Sequence, residues 1–164
     1  MSQRSNRVYI KKEALKFSAA HMTVFADGTK EPLHGHNYTT EVVFDIPALP
    51  LQKGLISFSE LKKEIKTICD QWDETVLLAQ NCPFFNIVKQ SDEELEFVLC
   101  QKRYVLPREE VVLLPLDNIT SESLAQEFCR RLATAFKPRF DAKEILGLQV
   151  KVEESPGQGS IWIW

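Results

Sequence analysis

The sequence predicts an α+β chain, an antiparallel sheet with helices on one face. Three observations carry this reading. Segments rich in β-branched and aromatic residues open the chain, at 8–18 and 38–46. Two stretches further on place apolar residues at spacings of three and four, and an alternating segment followed by a turn closes the chain. Strand, strand, helix, then helix, strand, strand is the order of an antiparallel sheet layered against helices.

The two N-terminal strands are separated by Asp27-Gly28-Thr29-Lys30-Glu31-Pro32, a turn-type cluster that marks a loop. A helix capped by Ser57 or Ser59 is predicted to run to about residue 72, because Leu61, Ile65, Ile68 and Trp72 share one face. Phe97-Val98-Leu99-Cys100 and Tyr104-Val105-Leu106 flank Gln101-Lys102-Arg103 as a hairpin whose loop has no glycine. The second helix begins near Thr120-Ser121-Glu122, with a hydroxyl cap and an acid in its first turn. It carries Leu124, Phe128, Leu132 and Phe136 on one face before Pro138. Residues 148–153 alternate, Ser155-Pro156-Gly157-Gln158-Gly159 turns the chain, and Ile161-Trp162-Ile163-Trp164 completes a C-terminal hairpin.

Bulk properties narrow the function classes. The 164 residues suit one domain with a single core, and 44% hydrophobic with 26% charged residues describe a folded chain. Twenty Lys and Arg against twenty-three Asp and Glu give a net charge of -3, with the bases scattered, so nucleic acid is not the expected partner. Residues 1–7 lack the apolar run of a secretory signal and no stretch has the length of a membrane span, which points to a cytoplasmic chain. Cysteines 69, 82, 100 and 129 show no CxxC spacing and read as small buried residues.

The three histidines of the chain, His21, His34 and His36, all fall within one sixteen-residue window. In an extended His34-Gly35-His36 segment both imidazoles project to the same side. His21 ends the preceding strand, and an antiparallel return through 22–33 brings it beside the pair. Three nitrogen ligands with an open fourth position describe catalytic Zn2+. Ordinary loop histidines are one competing reading, and a closed structural site with Glu31 as fourth ligand is another.

Phe17-Ser18-Ala19-Ala20-His21 and Leu33-His34-Gly35-His36-Asn37-Tyr38 resemble the zinc motif of the 6-pyruvoyltetrahydropterin synthase and 6-carboxytetrahydropterin synthase family. The resemblance continues through Gly54-Leu55-Ile56-Ser57-Phe58, Trp72-Asp73-Glu74, Thr120-Ser121-Glu122-Ser123-Leu124-Ala125 and Val152-Glu153-Glu154-Ser155. Residues 85–113 look longer than the family's usual connection, an elaboration within a single domain spanning 1–164. The resemblance implies the tunnelling fold (T-fold): a four-stranded antiparallel sheet and a helix pair from each subunit, with sheets from three subunits closing a barrel. It further implies a homohexamer built as a dimer of trimers, with active sites where subunits meet. Glu154 matches the glutamate that anchors the amino-pyrimidinone edge of the pterin, and Thr120 and Ser121 match positions that help hold the ring.

Two departures bear on the reaction. The family places a catalytic Cys shortly before His-Gly-His, yet this chain has none between His21 and His34. Glu31-Pro32-Leu33-His34-Gly35-His36 instead resembles the subgroup in which glutamate replaces that cysteine. Those enzymes cleave dihydroneopterin triphosphate to 6-hydroxymethyl-7,8-dihydropterin, a step of folate biosynthesis, which makes Glu31 the candidate acid-base. The family's Leu-Asp-His is here Trp72-Asp73-Glu74, so Glu74 replaces the histidine of its proton relay. If Glu74 folds beside Glu31, repulsion between the carboxylates would keep one protonated. The expected function is therefore a zinc-dependent pterin lyase. A 6-pyruvoyl- or 6-carboxytetrahydropterin synthase is the alternative, with a metal- and pterin-binding homologue lacking turnover as a third reading.

Overall fold

A computed structural model describes residues 5–48 and 56–164. The Gly54-Leu55 part of the sequence motif at 54–58 lies outside the described residues. Ten strands and three helices are seen among them, together with a single 3-10 turn at Arg108–Glu110.

The long strand β3 (His34–Pro47) organises the main sheet. Along one edge its first half pairs antiparallel with β2 (Lys16–His21) and its second half with β1 (Ser5–Ile10). The expected strand at 8–18 is thus two strands separated at 11–15, where Leu15 N–H donates to the Lys12 carbonyl in a turn. On its other edge β3 pairs with β9 (Gly147–Ser155), which pairs with β10 (Gln158–Ile163) at the sheet margin. These antiparallel strands form a four-wide sheet if β1 and β2 count as one interrupted strand. Two short strands, β4 (Thr75–Ala79) and β8 (Val111–Leu114), extend it in parallel beyond β2. Neither was expected, because runs of four or five apolar residues are not separable from helix or loop by periodicity.

Helix α1 (Phe58–Trp72) is capped by Ser57, whose hydroxyl accepts from Ser59 N–H, and buries Leu61, Ile65, Ile68 and Trp72. Helix α2 (Ser121–Ala135) has Thr120 as its cap in a reciprocal box with Ser123, and buries Leu124, Phe128 and Leu132. A one-turn helix, α3 (Lys137–Asp141), follows. Both long helices cover the face of the sheet that carries Tyr38, Val42, Phe44, Val150 and Val152, and this layer is the main core.

Residues 85–107 form a separate antiparallel sheet of β5 (Phe85–Gln90), β6 (Glu94–Leu99) and β7 (Lys102–Pro107). The β6–β7 turn is made by Cys100 and Gln101, one residue earlier than the expected loop. Both adopt positive φ, 49° and 65°, the left-handed pair that a two-residue hairpin requires. A second core joins this sheet to Met22, Val24 and Leu78. Cys69, Cys82 and Cys129 are buried and all four cysteines are free thiols. Burial pushes the Cys69 thiol up to about 11 and the Cys129 thiol up to about 12, which keeps both protonated and unreactive at neutral pH.

Candidate metal and pterin site

The register of the β2–β3 ladder sets His21 directly opposite His34. Alternation along β3 puts His34 and His36 on the same face, in a row continued by Tyr38 and Thr40. The three rings lie with centroids 4.6 Å (His21–His34), 5.4 Å (His21–His36) and 4.9 Å (His34–His36) apart. One nitrogen from each ring falls within 4.8 Å of the others.

Two ring orientations are fixed from behind. His21 Nδ1 donates to the Ile119 carbonyl at 3.0 Å, and His34 Nδ1 donates to the Pro32 carbonyl at 2.9 Å. Each therefore carries its lone pair on Nε2, the arrangement in which a backbone acceptor selects the metal-binding tautomer. His21 Nε2 is buried without a protein partner. Burial foremost, then the charges of the other two rings, holds the His21 imidazole below its ordinary value and so neutral. A buried orphan nitrogen facing two further imidazoles fits a metal ion.

Around the histidines a pocket of about 370 Å3 collects residues from distant parts of the chain. Asn118 makes this convergence possible: its side chain accepts from Val24 N–H at 3.0 Å and donates to the Val24 carbonyl at 2.8 Å. That pairing clamps the start of α2 beside His21, so Thr120 and Ser121 border the pocket. The N-terminus of α2 then borders the pocket with its positive dipole end. Glu154 arrives by alternation along β9, on the face that buries Leu148, Val150 and Val152. Glu153 points to the other face, where it pairs with Lys151 at 2.9 Å.

Glu31 also borders the histidine pocket, its carboxylate 3.9 Å from His34 Nε2. Glu74 does not. It lines a second pocket with Ser18, Ala20, Gly35 and Asn37, which His36 also borders. The condition for a repelling carboxylate pair, Glu74 beside Glu31, is not met within the chain, because the two line different pockets. The Asp73 carboxylate, at the end of α1, accepts from Ser18 N–H at 2.7 Å.

Sequence reasoning did not select Glu122 or Gln158, which also line the site. Glu122 was legible only as a first-turn acid, and its own backbone N–H, then the Thr120 hydroxyl, holds its carboxyl below the ordinary range. Gln158 Nε2 donates to Glu154 Oε1 at 2.8 Å. A β-bulge at Gln158 and Gly159 turns that side chain inward. Gly159 permits the bulge, since a Cβ there would overlap the Val152 carbonyl. Tyr38, in the histidine row, has its hydroxyl buried without a partner. Burial, then the charges of Glu154 and Glu31, raises its ionisation above the ordinary phenol value.

The family model for 6-pyruvoyl tetrahydropterin synthase matches residues 9–162. The chain belongs to that family. A Methanocaldococcus jannaschii relative, provisionally named 6-carboxy-5,6,7,8-tetrahydropterin synthase, is 32% identical over 148 residues, covering 90% of this chain and 89% of its own. A Pyrococcus abyssi relative with the same provisional name is 29% identical, over 77% of this chain and 73% of its own. The crystal structure of 6-pyruvoyl tetrahydropterin synthase from Plasmodium vivax superposes with a TM-score of 0.88 at 22% identity, covering 98% of each chain. The fold is accordingly the T-fold of that family. Its enzymes are pterin lyases that bind a metal and work as oligomers, and the histidine triad is the candidate metal site here. Among the described residues no helix is long and apolar enough to cross a membrane.

Proposed function

We propose that this member of the 6-pyruvoyl tetrahydropterin synthase family is a zinc-dependent carbon-carbon lyase that converts dihydroneopterin triphosphate to 6-hydroxymethyl-7,8-dihydropterin. The observation that carries the reading is Glu31, a carboxylate 3.9 Å from His34 Nε2 in a pocket that no cysteine lines among the described residues. Solved variants of the P. vivax protein, in which a glutamate described as a catalytic residue is replaced by alanine or cysteine, support a glutamate in this role.

His21, His34 and His36 would hold the zinc ion, which when bound supplies Lewis acidity toward a side-chain hydroxyl of the substrate. Glu154 accepts two N–H bonds from the amino-pyrimidinone edge of the pterin, and Thr120 and Ser121 hold the ring near the N-terminus of α2. Glu31 takes the proton of the hydroxyl on the second side-chain carbon as the bond between the first and second carbons breaks. The second carbon leaves as an aldehyde, the bonding pair passes to the first carbon in conjugation with the ring, and Glu31 returns a proton there.

The same reading has residues 1–164 working as one domain of a cytoplasmic homohexamer, a dimer of trimers. Its support is the margin strand β10 with the residue that follows it: Ile163 and Trp164 are 71% and 57% exposed beside Ile161 and Trp162. An apolar sheet edge of this kind is normally covered by another chain. Asp73 and Glu74, which do not border the pocket that holds Glu31, then serve the site of a neighbouring subunit.

A second reading, 6-carboxytetrahydropterin synthase, is favoured by the names of the two archaeal relatives. Incubating the zinc-loaded protein with dihydroneopterin triphosphate and weighing the products by mass spectrometry separates the two. A hydroxymethyl product is expected; a carboxy or pyruvoyl product would sink the lyase reading.

A further inference from the structure

The three-stranded sheet of β5, β6 and β7 lines no part of the histidine pocket, yet it touches the loop that presents Glu31 at successive residues. A Cβ on Gly28 would come within 3.0 Å of the Phe84 ring, so the loop lies directly on the residue leading into β5. The Cys100 thiol, in the β6–β7 turn, points at the Thr29 carbonyl at 4.0 Å. Lys30 places its ammonium 5.2 Å above the centroid of the Tyr104 ring and donates to the Glu31 carbonyl at 3.1 Å. Tyr104 in turn stacks on the fully buried Phe97, with centroids 5.1 Å apart.

From the other side Glu31 N–H donates to the Thr23 carbonyl at 2.9 Å, and Val24 bridges to Lys30. Met22 and Val24 are anchored in the second core with Phe97 and Leu95. The backbone of Glu31 is therefore gripped between β2's continuation and a cation resting on an aromatic face of the three-stranded sheet.

We propose that the sheet at 85–107 is the scaffold that fixes the Glu31 loop, with Lys30 and Tyr104 as positioning residues for the Glu31 carboxylate. This rests on the reading of Glu31 as the proton-transfer group. A carboxylate that must meet a substrate proton loses rate steeply with displacements of about an ångström. The loop's own pairing is one short bridge, Val24 to Lys30, with the Phe25–Thr29 and Glu31–Thr23 backbone bonds beside it, and the sheet braces it from the side.

Hydrogen exchange of the amides at 25–31, read by mass spectrometry on the intact protein, tests the scaffold without requiring turnover. In Tyr104→Leu these amides are expected to exchange on the order of tenfold faster, with β2 and β3 unchanged. Tyr104→Phe, which keeps the ring face, should restore the wild-type rate. Lys30→Met is the second variant, for use if Tyr104→Leu does not fold, and should act in the same direction. In turnover, kcat should fall on the order of tenfold in the loosened variants while pterin Kd and metal content hold. Unchanged exchange in both Tyr104→Leu and Lys30→Met overturns the scaffold, and faster exchange with undiminished kcat overturns its catalytic purpose. Normal turnover of Glu31→Gln alongside faster exchange in Tyr104→Leu would instead refute the role of Glu31 and leave the scaffold supported.

Discussion

The Ile119 carbonyl accepts the Nδ1 proton of His21 at 3.0 Å, joining the end of β2 to the residue just before the α2 cap. One hydrogen bond thereby ties an imidazole of the candidate metal site to the segment that borders the histidine pocket. The tautomer it selects is the one that leaves His21 Nε2 buried and without a partner.

The protein is expected to bind about one zinc per chain, and His34→Ala should lose most of it because two imidazoles rarely hold the ion. Metal analysis of purified protein checks this. Full occupancy in a variant lacking both His34 and His36 would remove the triad from consideration.

Glu31→Gln should retain zinc and pterin binding but lose on the order of a hundredfold in kcat, since an amide keeps the size and cannot exchange a proton. Steady-state kinetics beside metal analysis separates the outcomes. Loss of zinc would make Glu31 a fourth ligand of a closed site, and unchanged kcat would move the proton transfer to another group.

Glu154→Gln should weaken binding of a pterin at least tenfold, an effect on the order of that expected when a charged acceptor is replaced by an amide, with zinc content unchanged. Calorimetry with a soluble pterin measures it. Equal affinity in variant and parent would place the anchor elsewhere, with Glu122 the next residue to replace.

Glu127, 2% exposed on α2, accepts bonds from both Arg130 and Arg131. Burial opposes its ionisation, but the two guanidinium groups outweigh burial and leave the carboxyl below its ordinary value. That stabilisation is complete above the ordinary carboxylate range and is lost as pH falls through the lowered value. Glu127→Gln should therefore cost about 1–3 kcal/mol at neutral pH, with the difference from the parent shrinking in acid. Urea unfolding at a series of pH values reads both. A difference independent of pH would mean that packing, not the ion pairs, holds the residue in place.

Much of this arrangement was legible in the residues because it depends on local rules. His34-Gly35-His36 needed only the two-residue period of a strand to be placed on one face, and Ser57 and Thr120 needed only cap chemistry. The parts that escaped depend on long-range contacts. Pairing of β2 with β4, and the clamp of Asn118 on Val24, leave no periodic trace in either segment. Glu74 stood out as a departure from the family motif, but only the folded chain reveals that it lines a different pocket from Glu31. The Cys100 and Gln101 turn escaped for a different reason, since it uses side chains where glycine is the usual signal.

All three imidazoles belong to a single hairpin, β2 and β3, whose facing residues His21 and His34 are close in sequence. Pairing of β3 with β9, by contrast, joins Thr40 to Val152, roughly a hundred residues further along. Closing the shorter loop forfeits less chain entropy and is reached sooner in a conformational search. During synthesis the hairpin leaves the ribosome well before β9 has been made, so the three nitrogens can be gathered while Glu154 does not yet exist.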